Sequence, residues 1–328
     1  MALVLVTGAT GKLGSLVARA LIARGDTVRA VVRPLSSGTL PQGAEKFEHD
    51  LGPAALPATA FDGVGKVVHC AGLVGSHPYD SLVLANAFSA KHLLANCPAE
   101  IEKVVMISSI SVYGEHKGQL VDETFATACE SPYGKSKLLG ETFAREYASA
   151  LPIVLLRLGM IYGPDFEDGY FQILDRLAAG KMQILGDGNN RMPLVHQSDA
   201  VHAIMLALDS GEAITHCREY NIVGSEQMTQ KELLLLAASQ LGVPAPEKSA
   251  PVILASAGVA MQQVLSAIHL CKNPSVSPEN IRQLTLDRAY SGGKAKAELG
   301  FEPQVKIAEG MKEVIAAYLA KRRPPSPK

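Results

Sequence analysis

Leu3–Val6 opens the chain as an unbroken apolar run that ends on Thr7-Gly8. Behind the glycines, Leu16, Val17, Ala20 and Leu21 recur at helical spacing over Ser15–Arg24, and Gly25 stops them. A second apolar run, Thr27–Val32, follows at once. The alternation continues with strand-like runs at Lys66–Cys70, Lys103–Ile107 and Ile153–Leu158, and with helical stretches at Ser81–Cys97 and Tyr133–Ser149 between them. Strands without polar alternation, separated by helices, predict a parallel sheet covered on both faces. Right-handed crossovers make that sheet doubly wound, an α/β fold.

The second half is less regular. Phe171–Ala179 and Asp199–Leu208 read as helices around a GDGNN turn, Tyr220–Val223 as a short strand, and Thr229 as the cap of a helix over Gln230–Leu241. Val252–Leu270 holds no Asp, Glu, Lys or Arg. Three roles are open for it: a lid or core helix over an apolar substrate, a contact with a second subunit, or a membrane-surface anchor. Its Gln, Ser, Gly and His content argues against burial in lipid.

Composition narrows the function classes. Over 328 residues, 31 Lys+Arg against 32 Asp+Glu give a net charge of −1, without the basic excess of a nucleic-acid binder. The 47% hydrophobic fraction supports a sizeable core. Cys70, Cys97, Cys129, Cys217 and Cys271 lie far apart with no CxxC, which speaks against a disulfide framework or a metal site and for reduced thiols in a cytoplasm. The apolar start is too short for a signal-peptide core and lacks a basic leader, so a cytoplasmic protein is expected.

Thr7-Gly8-Ala9-Thr10-Gly11-Lys12-Leu13-Gly14 stands between the first strand and the first helix. Glycines there let the backbone turn tightly and approach a pyrophosphate, whose charge the N–H groups of the helix start would bind. NAD-preferring sites place an acid after the second strand. Here Arg33 stands there, with Lys12 in the loop, and two cations suit a 2′-phosphate. The expected cofactor is therefore NADP, with NAD the alternative. Asp50-Leu51 fits the place near the third strand that meets the adenine amino group.

Ser108-Ser109-Ile110-Ser111 follows the strand Lys103–Ile107 at its C-terminal end, where open α/β sheets hold their ligands. Further on, Tyr133-Gly134-Lys135-Ser136-Lys137 puts Tyr133 and Lys137 four residues apart, on one helix face. A phenol of ordinary pKa near ~10 is a poor base at neutral pH, and an adjacent ammonium favours its phenolate. That pattern points to hydride chemistry: Tyr133 exchanges a proton, Lys137 tunes it and Ser109 holds the substrate oxygen.

These residues resemble the short-chain dehydrogenase/reductase superfamily, in particular its extended branch, along nearly the whole chain. TGATGKLG is similar to the extended TGxxGxxG pattern, with Lys12 in place of the usual aromatic. His69-Cys70-Ala71-Gly72 resembles the HxAG element that passes under the adenine ring, which implies cofactor contacts from Cys70, Ala71 and Gly72. Asn86, in NAFSAKHLL, aligns with the branch's helper asparagine and implies a tetrad of Asn86, Ser109, Tyr133 and Lys137. RLGMIYGP, GDGNNRMPLVHQSDA, YNIVG and YSGGKAKAELGFEP resemble the later markers.

The resemblance implies a Rossmann domain over residues 1–157, rejoined in part by 188–223. It further implies a substrate-binding lobe of 158–187 and 224–320, and a tail at 321–328. It also implies a small-molecule substrate and a homodimer built on the two long helices. Nucleotide-sugar members hold the diphosphate with an Asn where this chain has Met160, and with an Arg that sits here as Arg191. Ser111, Gly159, Met160 and Arg191 are the expected substrate contacts. Met160 and the uncharged stretch favour an alcohol–ketone oxidoreductase acting on a fairly apolar molecule. A nucleotide-sugar epimerase or reductase and a non-catalytic dinucleotide-binding sensor are the alternatives.

Overall fold

The computed structural model describes residues 2–34, 36–167, 169–211, 217–258 and 278–322. Seven parallel strands form the central sheet in the order β3 (Ala44–Glu48), β2 (Thr27–Val32), β1 (Leu3–Thr7), β4 (Val64–His69), β5 (Lys103–Ser109), β7 (Ile153–Leu158) and β11 (Arg218–Ile222). The order steps outward in both directions from β1 and β4, as in a doubly wound Rossmann fold. Along β1 the side chains alternate between two cores. Val4 and Val6 pack with α1 (Lys12–Ala23) and α6 (Gln197–Asp209), whereas Leu5 packs with Leu93 and Leu94 of α3 (Ser89–Leu94) and Ala144 of α4 (Pro132–Glu146). The expected strands and helices of the first half are thus present, with shifted ends.

Two features depart from the expectation. The edge strand β3 carries AEKFE with mostly exposed side chains, so no apolar run announces it. The long helix expected from Ser81 is three pieces: α2 (Tyr79–Val83), a π turn (Leu84–Phe88), and α3. The π turn carries Asn86, and such turns are frequent at functional sites.

A further core joins Tyr162 of β8 (Met160–Tyr162), Leu174 and Leu177 of α5 (Tyr170–Ala178), Leu194 of β10 (Leu194–His196), Ala237 and Ala238 of α7 (Gln230–Leu241), and Val314 and Ile315 of α11 (Ile307–Arg322). Thr229 caps α7 in a reciprocal capping box with Glu232, as its position suggests. Three two-stranded parallel sheets tie these layers together. β8 pairs with β10, β9 (Ile184–Leu185) with β12 (Ser249–Ala250), and β6 (Leu120–Val121) with β13 (Ala289–Tyr290). The last pairing lays the chain after α9 (Pro278–Thr285) beside the segment following β5. α10 (Gly293–Leu299) then packs Ala295 and Leu299 into the first core. Residues 252–258 form a helix, α8, with Ile253 and Leu254 exposed. The rest of the uncharged stretch, 259–270, and the end of the chain, 323–328, lie outside the described residues. Among the described residues no helix is long and apolar enough to cross a membrane.

Candidate active site

The turn after β1 is packed down to bare backbone. Gly8 has φ +69°, and a Cβ there would stand 2.7 Å from the Ala71 nitrogen; a Cβ on Gly14 would run into the Gly8 carbonyl. Gly11 donates to the Gly8 carbonyl at 2.9 Å, and no side chain caps the first turn of α1. Exposed N–H groups at a helix start, reached over glycine, are what a pyrophosphate requires. These residues therefore fit a dinucleotide.

Lys12 opens α1 and lies over the Phe166 ring, 5.9 Å from its centroid. Arg33 follows β2 and is exposed. Thr10 and Leu13 flank the glycines, and Ser36 reaches Thr10 at 3.5 Å. Asp50 accepts from the Gly52 N–H (3.0 Å), while the Leu51 carbonyl faces His92 Nδ1 (2.8 Å).

A buried strut locks the ends of β1 and β4 to the helix beyond. Thr7 Oγ1 accepts the Ala71 N–H at 3.1 Å, so its own proton faces His69 Nδ1 at 2.8 Å. His69 Nε2–H then points at Ser89 Oγ (3.3 Å), which donates to the Ala85 carbonyl (2.5 Å). That chain needs a neutral imidazole. Burial and the nearby Lys137 charge pull the His69 pKa down to about 3, which keeps it neutral. His69 is thus a brace for the Cys70-Ala71-Gly72 segment.

β5 delivers Ser109 to the sheet's C-terminal edge, and α4 delivers Tyr133 and Lys137 to the same place. The start of α4 is fixed by Ser131, whose hydroxyl accepts from the Gly134 N–H (3.0 Å), with Pro132 in the first turn. The Ser109 hydroxyl stands near enough to Tyr133 to bear on its phenol. Ser109 Oγ also donates to Ser111 Oγ (3.2 Å) and accepts the Ser111 N–H (3.1 Å). Lys137, 8% exposed, donates to the Ile107 carbonyl at 3.0 Å. Asn86 holds Leu73 by both backbone groups (2.8 and 3.0 Å) and reaches Ser136 at 2.9 Å. A Cβ on Gly72 would touch both Asn86 Oδ1 (2.7 Å) and Lys137 Nζ (3.1 Å), so these groups converge on one glycine.

The electrostatics differ from the expectation in one respect. Burial dominates at Tyr133 and pushes the phenol up to about 12, with the Ser109 hydrogen bond opposing. Lys137 directs its ammonium to Ile107, and burial pulls it down to about 8 against the pull of Cys70 and Glu141. Cys70 is itself pushed up to about 12 by burial and stays a thiol.

A stability prediction follows for Lys137. Its native pKa lies below the value of the unfolded chain, so between about 8 and 10.5 the native state binds fewer protons and gains stability as pH rises. Melting of the wild type against Lys137→Met should show a difference that is flat below pH 8 and shifts by a few degrees toward the wild type up to pH 10. A pH-independent difference would refute the buried ammonium.

Of the expected substrate contacts, Ser111 lines a narrow pocket with Gly114, Ser131, Leu286, Arg288 and Tyr290. Met160 Sδ lies 3.2 Å from Arg288. Gly159 marks the step from β7 to β8, and its N–H goes to the Ile222 carbonyl (2.8 Å). Arg191 grips Asp287 through Nε (2.8 Å) and Nη2 (2.7 Å), and Nη2 also donates to the Gly118 carbonyl (2.6 Å). Sequence reasoning did not single out Arg288. Its signal lay in the DRAYSGGKAKAELGFEP segment, whose first residues the β6–β13 pairing brings to the pocket.

A doubly wound sheet with a glycine turn at β1 and a Ser–Tyr–Lys cluster at β5 defines a dinucleotide-dependent enzyme of the extended short-chain dehydrogenase/reductase type. Residues 4–223 match the family model "NAD dependent epimerase/dehydratase family", and the chain belongs to that family. Over 329 residues it is 28% identical to a 2-alkyl-3-oxoalkanoate reductase of Stenotrophomonas maltophilia (strain K279a), covering 97% of this chain and 99% of that protein. It is 29% identical to a dTDP-4-dehydro-6-deoxy-D-allose reductase of Streptomyces bikiniensis, over 74% of this chain and 82% of the other. The fold matches that of UDP-glucuronic acid 4-epimerase from Bacillus cereus in complex with NAD. There the TM-score is 0.78 and the identity 21%, over 98% of this chain and 100% of the other.

Proposed function

We propose that this protein is an NADP-preferring oxidoreductase that interconverts a secondary alcohol and a ketone on a fairly apolar small molecule. The observation that carries the reading is the convergence of Ser109, Tyr133 and Lys137 at the end of β5, beside the glycine turn. The substrate named for the Stenotrophomonas relative, a 2-alkyl-3-oxoalkanoate, is a ketone with an alkyl chain. When bound, the nicotinamide supplies or accepts the hydride. In reduction, Tyr133 hands its phenolic proton to the oxygen of the substrate; in oxidation, its phenolate takes the hydroxyl proton as the C=O bond forms. Ser109 holds that oxygen, and Lys137 stabilises the phenolate and binds the nicotinamide ribose. Asn86 keeps the Leu73 loop and the start of α4 in register. The described residues of 158–187 and 224–320 form the lobe over the substrate, in a cytoplasmic homodimer.

Arg33 and Lys12 select NADP. Arg33→Ala should lower the ratio of kcat/KM for NADPH over NADH by roughly tenfold or more, the loss of a charge-assisted bond. Steady-state kinetics with both cofactors check this; a wild type that prefers NADH would sink the NADP assignment.

A second reading, a reductase or epimerase of nucleotide sugars, is favoured by the Streptomyces relative. NAD retained through purification, with turnover of UDP- or dTDP-sugars, would establish it in place of the first.

A further inference from the structure

The candidate triad leaves one buried hydroxyl on α4 without a role. Ser136 is 0% exposed and stands between Tyr133 and Lys137 in the chain. Its Oγ donates to the Tyr133 carbonyl at 2.8 Å and accepts an amide hydrogen of Asn86 at 2.9 Å. A serine inside a helix commonly bonds back to its own turn, and that bond alone says nothing about function. The second partner is what sets Ser136 apart. Asn86 comes from the π turn Leu84–Phe88, 50 residues earlier in the chain, and is itself 3% exposed.

The hydrogens of the Asn86 carboxamide are fully committed. Its Oδ1 accepts the Leu73 N–H at 2.8 Å, and its two hydrogens go to the Leu73 carbonyl at 3.0 Å and to Ser136. A primary amide has no third hydrogen to give to Lys137 or to a substrate. Hydrogen bonds in series thus run from the Leu73 backbone, through Asn86 and Ser136, to the Tyr133 backbone. The same two elements also meet backbone to backbone. A Cβ on Gly140 would stand 2.7 Å from the Asn86 carbonyl oxygen, so α4 lies directly on the π turn one turn beyond Ser136. Tyr133, Ser136, Lys137 and Gly140 follow the spacing of a single helix face. Gly140 leaves room for the close approach, and Ser136 supplies the directional bond. At the other end of the series, Leu73 follows Gly72, where a Cβ would run into both Asn86 Oδ1 and Lys137 Nζ. Beyond Leu73 the loop opens to solvent: Val74 is 71% exposed, and a Cβ on Gly75 would meet nothing within 4 Å.

We infer that Ser136 is a positioning residue for Tyr133. It passes the grip of Asn86 on to the first turn of α4, so that the loop after Gly72 and the phenol are set as one unit. The inference rests on the Ser109–Tyr133–Lys137 reading and adds to it a residue that is itself sealed from solvent. Without the Ser136 oxygen, one Asn86 hydrogen is left unpaired in the interior, which loosens Asn86 and with it both ends of the series.

Ser136→Ala removes that one oxygen and keeps the helix, whereas Ser136→Thr keeps the hydroxyl. Amide hydrogen exchange is measured on the full chain at neutral pH. In Ser136→Ala the Leu73 amide should exchange roughly two- to tenfold faster than in the wild type, the loss of one hydrogen bond, and so should the amides at the start of α4. A serine that serves only its own helix turn would leave Leu73 at the wild-type rate, and that result overturns the inference. This comparison needs neither a substrate nor the threonine variant. Kinetics give the second readout, on an alcohol and ketone pair that the wild type turns over. Ser136→Ala should lower kcat roughly tenfold with the KM for the cofactor unchanged, and Ser136→Thr should restore it. A threonine variant that melts with the wild type yet stays slow overturns the inference. In a Tyr133→Phe background, Ser136→Ala should cost nothing further, because its effect passes through the phenol. Additive losses would make Ser136 a purely structural residue and overturn the inference as well. A wild type that turns over no alcohol or ketone sinks the alcohol–ketone reading, while the exchange of Leu73 still decides the link through Ser136.

Discussion

Tyr133→Phe should lower kcat by about 10²–10⁴-fold while leaving cofactor affinity and melting temperature nearly unchanged, the span expected for loss of one general acid–base group. The ring would still fill its place on α4, and Ser109 would keep both contacts to Ser111. Lys137 binds Ile107 and not the phenol, so its position does not depend on the hydroxyl. What disappears is the proton that the proposed mechanism moves at the substrate oxygen. Burial holds the phenol near 12, so the protonated form is abundant for reduction at neutral pH, whereas oxidation needs the phenolate. In the wild type, oxidation should therefore gain rate as pH rises, and reduction should lose it at the alkaline end. The variant should lose this dependence together with its rate. Steady-state kinetics in both directions, with cofactor binding followed by fluorescence, check the expectation; turnover within tenfold of wild type would remove Tyr133 from the chemistry.

Sequence reasoning reached the parts of the site whose signals are local. The glycine turn is legible because it interrupts an apolar run whose residues are buried on both faces, as Val4, Leu5 and Val6 are. The Tyr133–Lys137 pair is legible because four residues make one helical turn. β3 escaped because an edge strand of Ala44, Glu45, Lys46, Phe47 and Glu48 has little apolar surface to bury. The π turn at Leu84–Phe88 escaped because apolar spacing says nothing about one wide turn inside a continuous helix. The expectation of a phenol acidified by its neighbour left out burial, the largest influence on Tyr133. Arg288 became visible only through the β6–β13 pairing, a contact between segments far apart in the chain. Distant pairings of this kind leave no periodic trace in the sequence.

Arg157 illustrates the same limit, and its replacement should have the largest effect on stability. In the sequence it is one charge on an otherwise apolar strand, and in the fold it holds α4 to the sheet. Arg157 and Glu141 are 3% and 2% exposed and are joined by two bonds, Nε to Oε1 at 3.0 Å and Nη2 to Oε2 at 2.7 Å. Arg157 Nη1 donates to the Tyr113 hydroxyl (2.7 Å), which donates to Asn221 (2.8 Å), and Ser108 donates to Glu141 (2.6 Å). Glu141 lies one turn beyond Lys137 on α4, and Ser108 immediately precedes Ser109, so the network ties together both elements that carry the candidate triad. Arg157→Met would leave a buried carboxylate whose nearest remaining cation, Arg145, stands 3.7 Å away, is partly exposed and also serves Glu219. Breaking a buried pair from one side costs about 3–5 kcal/mol, and the lower end applies where a second cation compensates in part. For a chain of this size that corresponds to a fall in melting temperature of roughly 4–7 °C. Replacing both partners, as Arg157→Met with Glu141→Leu, removes the orphaned charge and should recover most of the loss, because a buried pair exchanged for apolar groups is often neutral. Thermal melts of the two single variants and the double variant decide it. Additive losses would mean that the pair is not coupled, and that α4 is held to the sheet by its apolar packing alone.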